Sequence, residues 1–475
     1  MQAQFLFILF KIRGVDSMKL VLLSGGSGKR LWPLSNDSRS KQFLKVLKNS
    51  NQELESMVQR VWGQISAAGL SNQSYIITGL GQVEMIYSQL GHEVNVVCEP
   101  NRRDTFPAIA LMSTYLYSIV GVSLQEVITV LPVDPYVEDH FFHKVKELES
   151  IVHDSGADIA LMGVKPTYPS EKYGYIVPDK PQNEVLTPYR TVDHFREKPH
   201  EDQAKLLIEQ GALWNCGVFA FRLDYVINML IQRGLPIQYE ELVKHYDALP
   251  KLSFDYEVVE KAKHIVVAPY DGFWKDLGTW NTLTEEIETQ QIGSGIISAD
   301  SKNTHLINEL EIPVTIIGCS NLVVAVSPDG ILVSDKSASA KIKEIMKDIE
   351  QRPMFEERRW GWYRVLDYTK KDGKEVLTKR IGVHAGKNLS YQLHLKRSEA
   401  WTIISGEGEL VLNDKLIHVA AGDVIQIPVR ARHSIRAITD LEIIEVQSGN
   451  ELVEEDIVRL YMNWADIERQ CVKMS

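Results

Sequence analysis

The sequence predicts an α/β domain, a small β module after it, and a C-terminal β-barrel of the jelly-roll type. From Leu20 to about residue 290, short apolar strands alternate with amphipathic helices, a pattern typical of a parallel sheet with helices on its faces. Short β-rich runs broken by Gly, Asn, Asp and Pro occupy residues 291–336. From 374 to 448 a new β-run follows every eight to twelve residues, as in barrels and double-sheet jelly rolls.

Composition and charge exclude several classes of protein. The 475 residues are 44% hydrophobic and 24% charged, as in ordinary folded chains, and their length predicts two to four domains. The net charge of −11 argues against a nucleic-acid partner. The apolar run at residues 5–10 is too short to cross a membrane. Four scattered cysteines without CxxC spacing indicate a reducing compartment, so we expect a cytoplasmic protein without a membrane partner.

The apolar pattern also sets the expected elements and boundaries. Strands are predicted at residues 20–23, 75–78, 94–98, 127–131 and 159–164, and apolar residues from Leu54 to Ile65 at spacings of three and four predict a helix. Met18 directly precedes the first strand, so we expect the natural chain to start there and residues 1–17 to be a non-native or disordered extension. The expected domains are 18–290, a β module with a charged helix at 291–350, a linker at 351–373, and a barrel at 374–475 with a helical tail after Glu451.

A glycine-rich segment follows the first strand. Gly25, Gly26 and Gly28 precede Lys29 and Arg30, a combination that brings backbone and cations close to a phosphate chain. The segment is not a P-loop, because Arg30 stands where Ser or Thr is required. It is not a dinucleotide fingerprint either, because Leu31 stands where the third small residue belongs.

This segment, SGGSGKRLWPLS, and the SKQFL that follows it resemble the signature of the mannose-1-phosphate guanylyltransferases. Further segments resemble that family in the same order: CEPNRRDTFPAIA, LPVDPYV, YGYI, REKP, LWNCGVFAFR, SFDYEVVEK and FWKDLGTW. The resemblance implies a Rossmann-like nucleotidyltransferase (GT-A-like) domain. It also implies that GTP and mannose 1-phosphate are converted to GDP-mannose and pyrophosphate.

The resemblance assigns roles residue by residue. It implies that Asp134 and Asp276 hold Mg²⁺ and that Arg30 and Lys41 contact the triphosphate in the transition state. The remaining nucleotide contacts would come from Leu23, Ser24, Gly25, Gly26, Ser27, Gly28, Lys29 and Arg103. The sugar phosphate would be bound by Gly174, Glu197, Lys198 and Asn215.

Four positions depart from the family pattern. They are Arg102, Asp104, Phe106 and Pro135, where the family usually has Gly, Asn, Ala and His. Two alternatives therefore stay open beside the main interpretation. One is a nucleotidyltransferase for a heptose or glucose phosphate, or for another NTP. The other is a sugar-nucleotide sensor without catalysis.

The barrel sequence contains two glycine-framed motifs of the cupin type. Gln392 and His394 are two apart on one predicted strand, and Glu399 and His433 come from other strands, so we expect one ligand set for Zn²⁺ or another divalent transition metal. The motifs resemble the mannose-6-phosphate isomerase domain of bifunctional type II enzymes, which implies fructose 6-phosphate or mannose 6-phosphate as ligands.

Three family histidines are replaced in the barrel, by Leu395, Lys396 and Ala400. An active isomerase and a non-catalytic cupin are therefore both open. Arg430, Arg432 and Arg436 are either sugar-phosphate ligands or solvated surface charges. The edges of the 291–336 module offer a surface for a homo-oligomer, which we expect to be a dimer.

Overall fold

A computed structural model of the chain describes residues 18–26, 29–36, 38–179, 187–349 and 351–472. Residues 1–17, predicted to be an extension, lie outside the described residues, as do Ser27 and Gly28 of the glycine-rich segment. Within the described part of the chain, no helix is long and apolar enough to cross a membrane.

The chain divides into two compact units that do not follow the predicted boundary at residue 290. The first unit contains the chain up to Gly25, Met57–Leu80 and Val94–Leu277. The second contains Gly26–Ser56, Gly81–Glu93 and everything from Gly278 onward. Two stretches of the predicted N-terminal domain, including Arg30 and Lys41, thus belong to the same unit as the barrel.

The elements of residues 18–290 alternate between strands and helices, as the sequence pattern predicts. The strands are β1 (Lys19–Ser24), β2 (Leu47–Lys48), β3 (Leu54–Glu55), β4 (Ser74–Gly79), β5 (Asn95–Glu99), β6 (Val127–Pro132), β7 (Pro135–Val137), β8 (Ile159–Val164), β9 (Tyr175–Pro178), β10 (Arg190–Arg196), β11 (Leu213–Arg222), β12 (Ile265–Tyr270) and β13 (Trp274–Asp276). The helices are α1 (Met57–Ala67), α2 (Val83–Leu90), α3 (Thr105–Tyr115), α4 (Phe141–Ser155), α5 (Glu201–Glu209), α6 (Leu223–Gln232), α7 (Tyr239–Lys244), α8 (Phe254–Glu257) and α9 (Trp280–Thr284).

The first unit is built on one large sheet with the strand order β5-β4-β1-β6-β11-β8-β12-β10-β9. The five strands predicted from the sequence are β1, β4, β5, β6 and β8, and all five are present. The prediction of a parallel sheet is wrong in one respect. Although β1 pairs in parallel with β4 and β6, β11 runs antiparallel to both β6 and β8.

Buried helical faces cover this sheet. In α4, Phe141, Val145, Leu148 and Val152 recur at spacings of three and four and are all buried, so one stripe of the helix packs inward. The helix ends where Gly156 adopts a φ of 66° and its N–H bonds the Val152 carbonyl at 3.2 Å. The helix predicted from Leu54 begins at Met57 instead, because Leu54 lies exposed in the short strand β3.

The β module is confirmed in the second unit. Its strands are β14 (Gln291–Ile292), β15 (Gly295–Ile297), β16 (His305–Asn308), β17 (Val314–Ile316), β18 (Leu322–Ser327) and β19 (Gly330–Asp335). They form a sheet of order β14-β16-β18-β19 and a separate β15-β17 pair. The charged helix that follows is short, α10 (Ile342–Ile345).

The C-terminal part is a barrel of two sheets. Its strands are β20 (Phe355–Arg358), β21 (Gly361–Lys371), β22 (Lys374–Val383), β23 (Tyr391–Leu393), β24 (Arg397–Ser405), β25 (Glu407–Leu412), β26 (Lys415–Ala420), β27 (Val424–Ile427), β28 (His433–Ala437), β29 (Leu441–Gly449) and β30 (Val458–Tyr461). One sheet has the order β20-β21-β22-β29-β24-β27, and the other has the order β26-β25-β28-β23-β30. The helix α11 (Trp464–Val472) comes last.

Two predicted boundaries of the barrel are wrong. Residues 351–373, predicted as a linker, contain β20 and β21, and β21 pairs with β22 along its whole length. Alternate side chains in the first half of β21, such as Tyr363 and Val365, are buried in the barrel core. The tail after Glu451 forms the strand β30 before its helix begins.

Strand register places polar side chains at one level of the barrel interior. Leu377, Gln447, Glu399 and Ile427 are successive cross-strand partners, and Lys379, Glu445 and Trp401 form the next row in the same direction. One further row on, Ile381 faces Ile443, which faces Ile403. Cross-strand partners share a face of the sheet, so the interior changes from polar to apolar within about two residues along each strand.

Two glycines of the barrel with positive φ differ in the space that surrounds them. Gly406 has a φ of 83°, and a Cβ at this position would lie 2.1 Å from the Asp440 carbonyl oxygen. Gly386 has a similar φ of 77°, but a Cβ there would meet nothing within 4 Å. We expect Gly406→Ala to lower the free energy of unfolding by about 1–3 kcal/mol more than Gly386→Ala. Urea denaturation of the full chain measures this difference, and equal losses in the two variants would contradict it.

Candidate functional sites

A cluster in the first unit joins the four residues predicted to bind the sugar phosphate. The Asn215 N–H donates to the Gly174 carbonyl at 2.8 Å, and the Lys198 N–H donates to the Tyr173 carbonyl at 3.3 Å. The Lys198 ammonium bonds the buried Glu197 carboxylate. A Cβ on Gly174 would lie 2.6 Å from both Glu197 Oε2 and Phe195 Cζ, so a larger residue would displace one of these side chains.

Lys198 is held in an unusual backbone conformation. Its φ is 45°, in the left-handed region that side chains other than those of Gly, Asn and Asp rarely adopt. Burial lowers the pKa of its ammonium, but the hydrogen bond and charge of Glu197 outweigh burial, so the net shift is upward. Burial raises the pKa of Glu197 despite its bond to Lys198. Such strain and burial are common at ligand sites.

Asp255 completes this cluster, although its role was not predicted. Its Oδ1 accepts from the Asn215 side-chain amide at 2.8 Å. Burial, followed by the nearby charge of Glu197, raises the pKa of Asp255 to about 7. The SFDYEVVEK segment, which contains this residue, was the available signal, but no pattern in the sequence pairs Asp255 with Asn215.

The two predicted magnesium ligands lie at one strand pairing of the first unit. In the antiparallel β7–β13 pair, Asp276 is opposite Pro135, the residue after Asp134. Both carboxylates are half-buried. Tyr173 lies beside them: burial raises the pKa of its hydroxyl, and the charge of Asp276 adds to that shift. Carboxylate oxygens are the ligands that a hard cation such as Mg²⁺ prefers.

The end of β1 is confined by buried polar groups. Thr78 Oγ1 donates to the Ser24 carbonyl at 3.0 Å, and a Cβ on Gly25 would lie 3.1 Å from Glu99 Oε1. Tyr246 donates to the other Glu99 oxygen at 2.7 Å. Burial raises the pKa of Glu99. The space beside Gly25, at the end of residues 23–25, is therefore limited by the Glu99 carboxylate.

Arg103, predicted to bind the nucleotide, is engaged with the protein itself. Its guanidinium donates to the Leu249 carbonyl at 2.9 Å and to Asp247 Oδ1 at 3.2 Å. This arrangement fastens the segment after α7 to the start of α3.

Two departures from the family pattern have structural explanations. Phe106 is fully buried in the core of the first unit, with the Arg233 guanidinium 5.0 Å from its ring centre. Asp104 has a φ of 73° and caps α3 by accepting from the Thr105 N–H at 2.7 Å. Asp and Asn share this ability.

The second unit contains the remaining cations of the predicted nucleotide site. Lys29 and Arg30 lie in a short 3₁₀ turn, Lys29–Leu31, and Lys41 begins another, Lys41–Phe43. Ser40 Oγ donates to the Gly26 carbonyl at 2.7 Å. The buried Gln82 amide donates to Ser40 Oγ at 2.5 Å and to the Gly26 carbonyl at 3.4 Å. One side chain thus connects the glycine-rich segment and the segment that carries Lys41.

The barrel brings together three of its four predicted metal ligands. His394, Glu399 and His433 are buried, and one ligand atom from each lies within 4.8 Å of the others. His394 Nε2 is 3.1 Å from Glu399 Oε1, and His433 Nε2 is 3.6 Å from Glu399 Oε2. Gln392 adjoins them, with its amide nitrogen 3.5 Å from His394 Nε2 and its oxygen accepting from Ser390.

The two histidines are oriented as metal ligands usually are. His394 Nδ1 lies 2.6 Å from the Asp456 carbonyl and His433 Nδ1 lies 3.0 Å from the Ala431 carbonyl, which leaves both Nε2 atoms for the interior. Burial lowers the pKa of each imidazole to about 4, so both are neutral at pH 7. His433 Nε2 is buried without a hydrogen-bond partner in the described chain, as expected of an atom meant for a cation.

Three further side chains donate hydrogen bonds to the Glu399 carboxylate. Arg397 Nε donates to Oε1 at 3.0 Å, Trp401 Nε1 donates to Oε2 at 3.1 Å, and Gln447 Nε2 lies 3.4 Å from Oε1. A carboxylate buried to this degree needs such partners.

The replaced histidines of the motif lie outside this cluster. Leu395 is 51% exposed, and Lys396 extends to an ion pair with Glu451. Ala400 alternates with the inward-facing Glu399 and Trp401 and therefore faces away. The motif has lost side chains outside the ligand set.

Two of the three arginines near the second motif have acidic partners outside the ligand set. Arg432 bonds Asp414, and Arg436 pairs with Glu409 at 2.6 Å while covering the Trp464 ring. Arg430 has a φ of 66° at a turn and donates its N–H to the His394 carbonyl at 2.7 Å. Nothing in these contacts favours a sugar-phosphate role for them.

Comparisons with known proteins agree with the two-part architecture. Residues 19–291, more than half of the chain, match the nucleotidyl transferase family, and residues 347–462 match the mannose-6-phosphate isomerase C-terminal family. The xanthan biosynthesis protein XanB of Xanthomonas campestris pv. campestris is 30% identical over 92% of this chain and 97% of that protein.

Two further similarities cover most of the chain. Mannose-1-phosphate guanylyltransferase 2 of Escherichia coli O157:H7 is 30% identical over 92% of this chain and 96% of that protein. The crystal structure of a mannose-1-phosphate geranyltransferase from Thermus thermophilus matches with a TM-score of 0.57 and 26% identity, over 70% of this chain and 99% of that one.

The raised pKa of Asp255 predicts a pH effect on stability. Its pKa is about 7 in the fold, against about 3.9 in an unfolded chain. Asp255 therefore favours folding fully below pH ~4, and this contribution is lost as the pH rises through about 7. We expect Asp255→Asn to remove part of the wild-type loss of stability between pH 5 and pH 8, measured as urea midpoints. The exposed Asp154→Asn should leave the wild-type profile unchanged, and identical profiles for all three proteins would contradict the assignment.

Proposed function

Because the chain belongs to the nucleotidyl transferase family and ends in a mannose-6-phosphate isomerase C-terminal domain, we propose that it transfers GMP from GTP to mannose 1-phosphate. The products are GDP-mannose and pyrophosphate. The observation that carries this proposal is the sugar-phosphate cluster of Gly174, Glu197, Lys198 and Asn215, together with the carboxylate pair Asp134 and Asp276 in the same unit.

The cluster suits a hexose phosphate. The Gly174 backbone lies directly beside the Glu197 carboxylate, and Glu197 and Asn215 offer polar groups to the hydroxyls of a sugar ring. The Lys198 ammonium, held by Glu197, provides the positive charge for the sugar phosphate. Fixing the sugar phosphate in this way orients its oxygen for in-line attack on the α-phosphate of GTP.

The charge that develops during transfer requires cations. Asp134 and Asp276 would hold Mg²⁺, which on binding screens the negative charge of the nucleotide phosphates. In the second unit, Arg30 and Lys41 would contact the triphosphate, and Gln82 fixes the segment before Lys41 against Gly26. In the first unit, the backbone of Leu23, Ser24 and Gly25 would face the nucleotide.

A product assay separates this function from its alternatives. The full chain with Mg²⁺ is given each of the four NTPs in turn with mannose 1-phosphate, glucose 1-phosphate or a heptose 1-phosphate, and products are identified by mass spectrometry. GDP-mannose from GTP and mannose 1-phosphate is the expected result. If another nucleotide sugar forms instead, the proposed sugar phosphate or NTP is wrong. Nucleotide binding without pyrophosphate release would indicate a sensor.

Two substitutions test the site in different ways. Asp276→Ala should lower kcat by about 100-fold or more, because it removes charge compensation that acts in the transition state. Lys198→Ala should raise KM for mannose 1-phosphate by about tenfold, because it removes a charged hydrogen bond to the phosphate. Asp271→Ala, at an exposed position five residues before Asp276, is the matched control. Wild-type kinetics in both site variants would refute the assignment.

The barrel supports a second activity, the interconversion of fructose 6-phosphate and mannose 6-phosphate. The supporting observation is the buried trio His394, Glu399 and His433, whose neutral imidazoles and orphaned Nε2 atom fit a divalent metal such as Zn²⁺. When bound, the metal would stabilise the negative oxygen that forms as a proton moves between C1 and C2. Gln392 and Glu399 also line a cavity that is open to a substrate.

Metal dependence separates the two activities. We expect His433→Ala to lose bound divalent metal, measured by inductively coupled plasma mass spectrometry, and to lose fructose 6-phosphate isomerisation. Nucleotidyl transfer should persist, because the His433 side chain contacts only the barrel ligand set and its neighbours. His418→Ala, at an exposed histidine on the same barrel, is the control. Full metal content in His433→Ala would refute the ligand set.

A further inference from the structure

The barrel cavity that contains Gln392 and Glu399 is lined by an unusual number of arginines. Arg358 ends β20, Arg359 follows it in the turn before β21, Arg397 comes from β24, and Arg459 comes from β30. Arg397 is committed to Glu399. The other three, which we name the arginine cluster, contact none of the metal ligands by a hydrogen bond or ion pair given by the structure.

The arginine cluster lies close to the ligand set. Arg459 is the cross-strand partner of Gln392 in the β23–β30 pair, so the two side chains share a face of the sheet. Burial, followed by the charges of Arg358 and Arg359, lowers the pKa of Arg459, which indicates that the three guanidinium groups are near one another. These three cations repel one another, and Glu356, which bonds Arg358, compensates part of their charge together with Glu84 and Glu454, which line the same cavity.

An acidic side chain from a distant part of the sequence holds one of these arginines. Glu84 of α2 also lines the cavity. Its Oε2 accepts from the Arg359 backbone N–H at 3.2 Å and lies 3.7 Å from Arg359 Nε. The helix is fixed against β20 by Gln89, which donates to Glu357 at 3.3 Å. Glu84 and the arginine cluster all belong to the second unit.

We propose that Arg358, Arg359 and Arg459 bind the phosphate group of the hexose 6-phosphate, and that Glu84 is the counter-ion that this phosphate displaces from Arg359. The proposal rests on the isomerase function proposed above and adds the position of the phosphate. Guanidinium groups match phosphate with paired N–H donors. The carbonyl end of the sugar then lies toward Gln392 and Glu399, at the metal ligands.

The negative charge of Glu84 should weaken phosphate binding at the arginine cluster. A carboxylate beside Arg359 compensates its charge while the cavity holds no anion, and it opposes a phosphate that enters. Replacing Glu84 with Gln keeps an acceptor for the Arg359 N–H but removes the opposing charge. Phosphate should therefore bind more tightly to Glu84→Gln than to the wild type.

Two measurements on the full chain test the proposal. Inorganic phosphate binding to metal-free protein, followed by isothermal titration calorimetry, should weaken by about tenfold in Arg359→Gln and in Arg459→Gln. In the metal-loaded protein, the same variants should raise KM for fructose 6-phosphate with a smaller change in kcat and unchanged metal content. Glu84→Gln should lower the Kd for phosphate. Lys415→Gln, an exposed cation of β26, is the matched control.

These measurements distinguish failure of the phosphate site from failure of the isomerase function. Phosphate binding that is unchanged in both arginine variants, or weaker in Glu84→Gln, overturns the proposal. Arginine-dependent phosphate binding in a chain that does not isomerise fructose 6-phosphate supports the anion site and refutes the isomerase function alone. GDP-mannose formation by each variant verifies that it is folded, so a general loss of structure is recognised.

Discussion

A carboxylate removed from water must be matched by cations or hydrogen-bond donors, and both candidate sites of this chain are built on that requirement. In the first unit, the buried Glu197 is held by Lys198, and burial, followed by the charge of Glu197, raises the pKa of Asp255. In the barrel, Glu399 receives Arg397, Trp401 and Gln447. Each network fixes its carboxylate in one orientation, which is the condition for holding a sugar hydroxyl or a metal ion.

The same requirement explains why polar side chains are confined to one level of the barrel. Lys379, Glu445 and Trp401 form a row across three strands, and the row of Ile381, Ile443 and Ile403 follows it. The apolar row supplies the packing of the core, while the polar rows compensate one another's charges. Moving a strand by one residue would turn Glu399 outward and replace it with Ala400, so the register of β24 decides whether the metal ligands meet.

Local patterns predict the elements of this chain well, because strand alternation and helical spacing are properties of neighbouring residues. The five predicted strands of the first sheet are of this kind, and the metal ligands His394, Glu399 and His433 lie in motifs with fixed spacing. The role of Asp255 is different, because it depends on a contact with Asn215 forty residues away. The strands at 355–371 were missed because charged residues on their outer face concealed an alternating buried face.

The two units of the fold combine stretches that are far apart in the sequence, and no change in composition marks their boundaries. The stretch Gly81–Glu93 lies within the nucleotidyltransferase part of the sequence but belongs to the unit that contains the barrel. Within it, Gln82 holds Ser40 and Gly26 together, and Glu84, two residues later, reaches Arg359. Sequence order gives no indication of this second contact, because 275 residues separate its partners.

Five of the departures from the family motifs have a structural explanation. Phe106 is buried in the core, and Asp104 caps a helix at a positive φ. Leu395, Lys396 and Ala400 face away from the metal ligands. A sequence motif does not distinguish side chains that face the site from side chains that face away. In the fold, only those that face the site can contact a substrate or metal. The substitutions at these positions therefore change packing and surface, and the groups that would contact substrates and metals are retained.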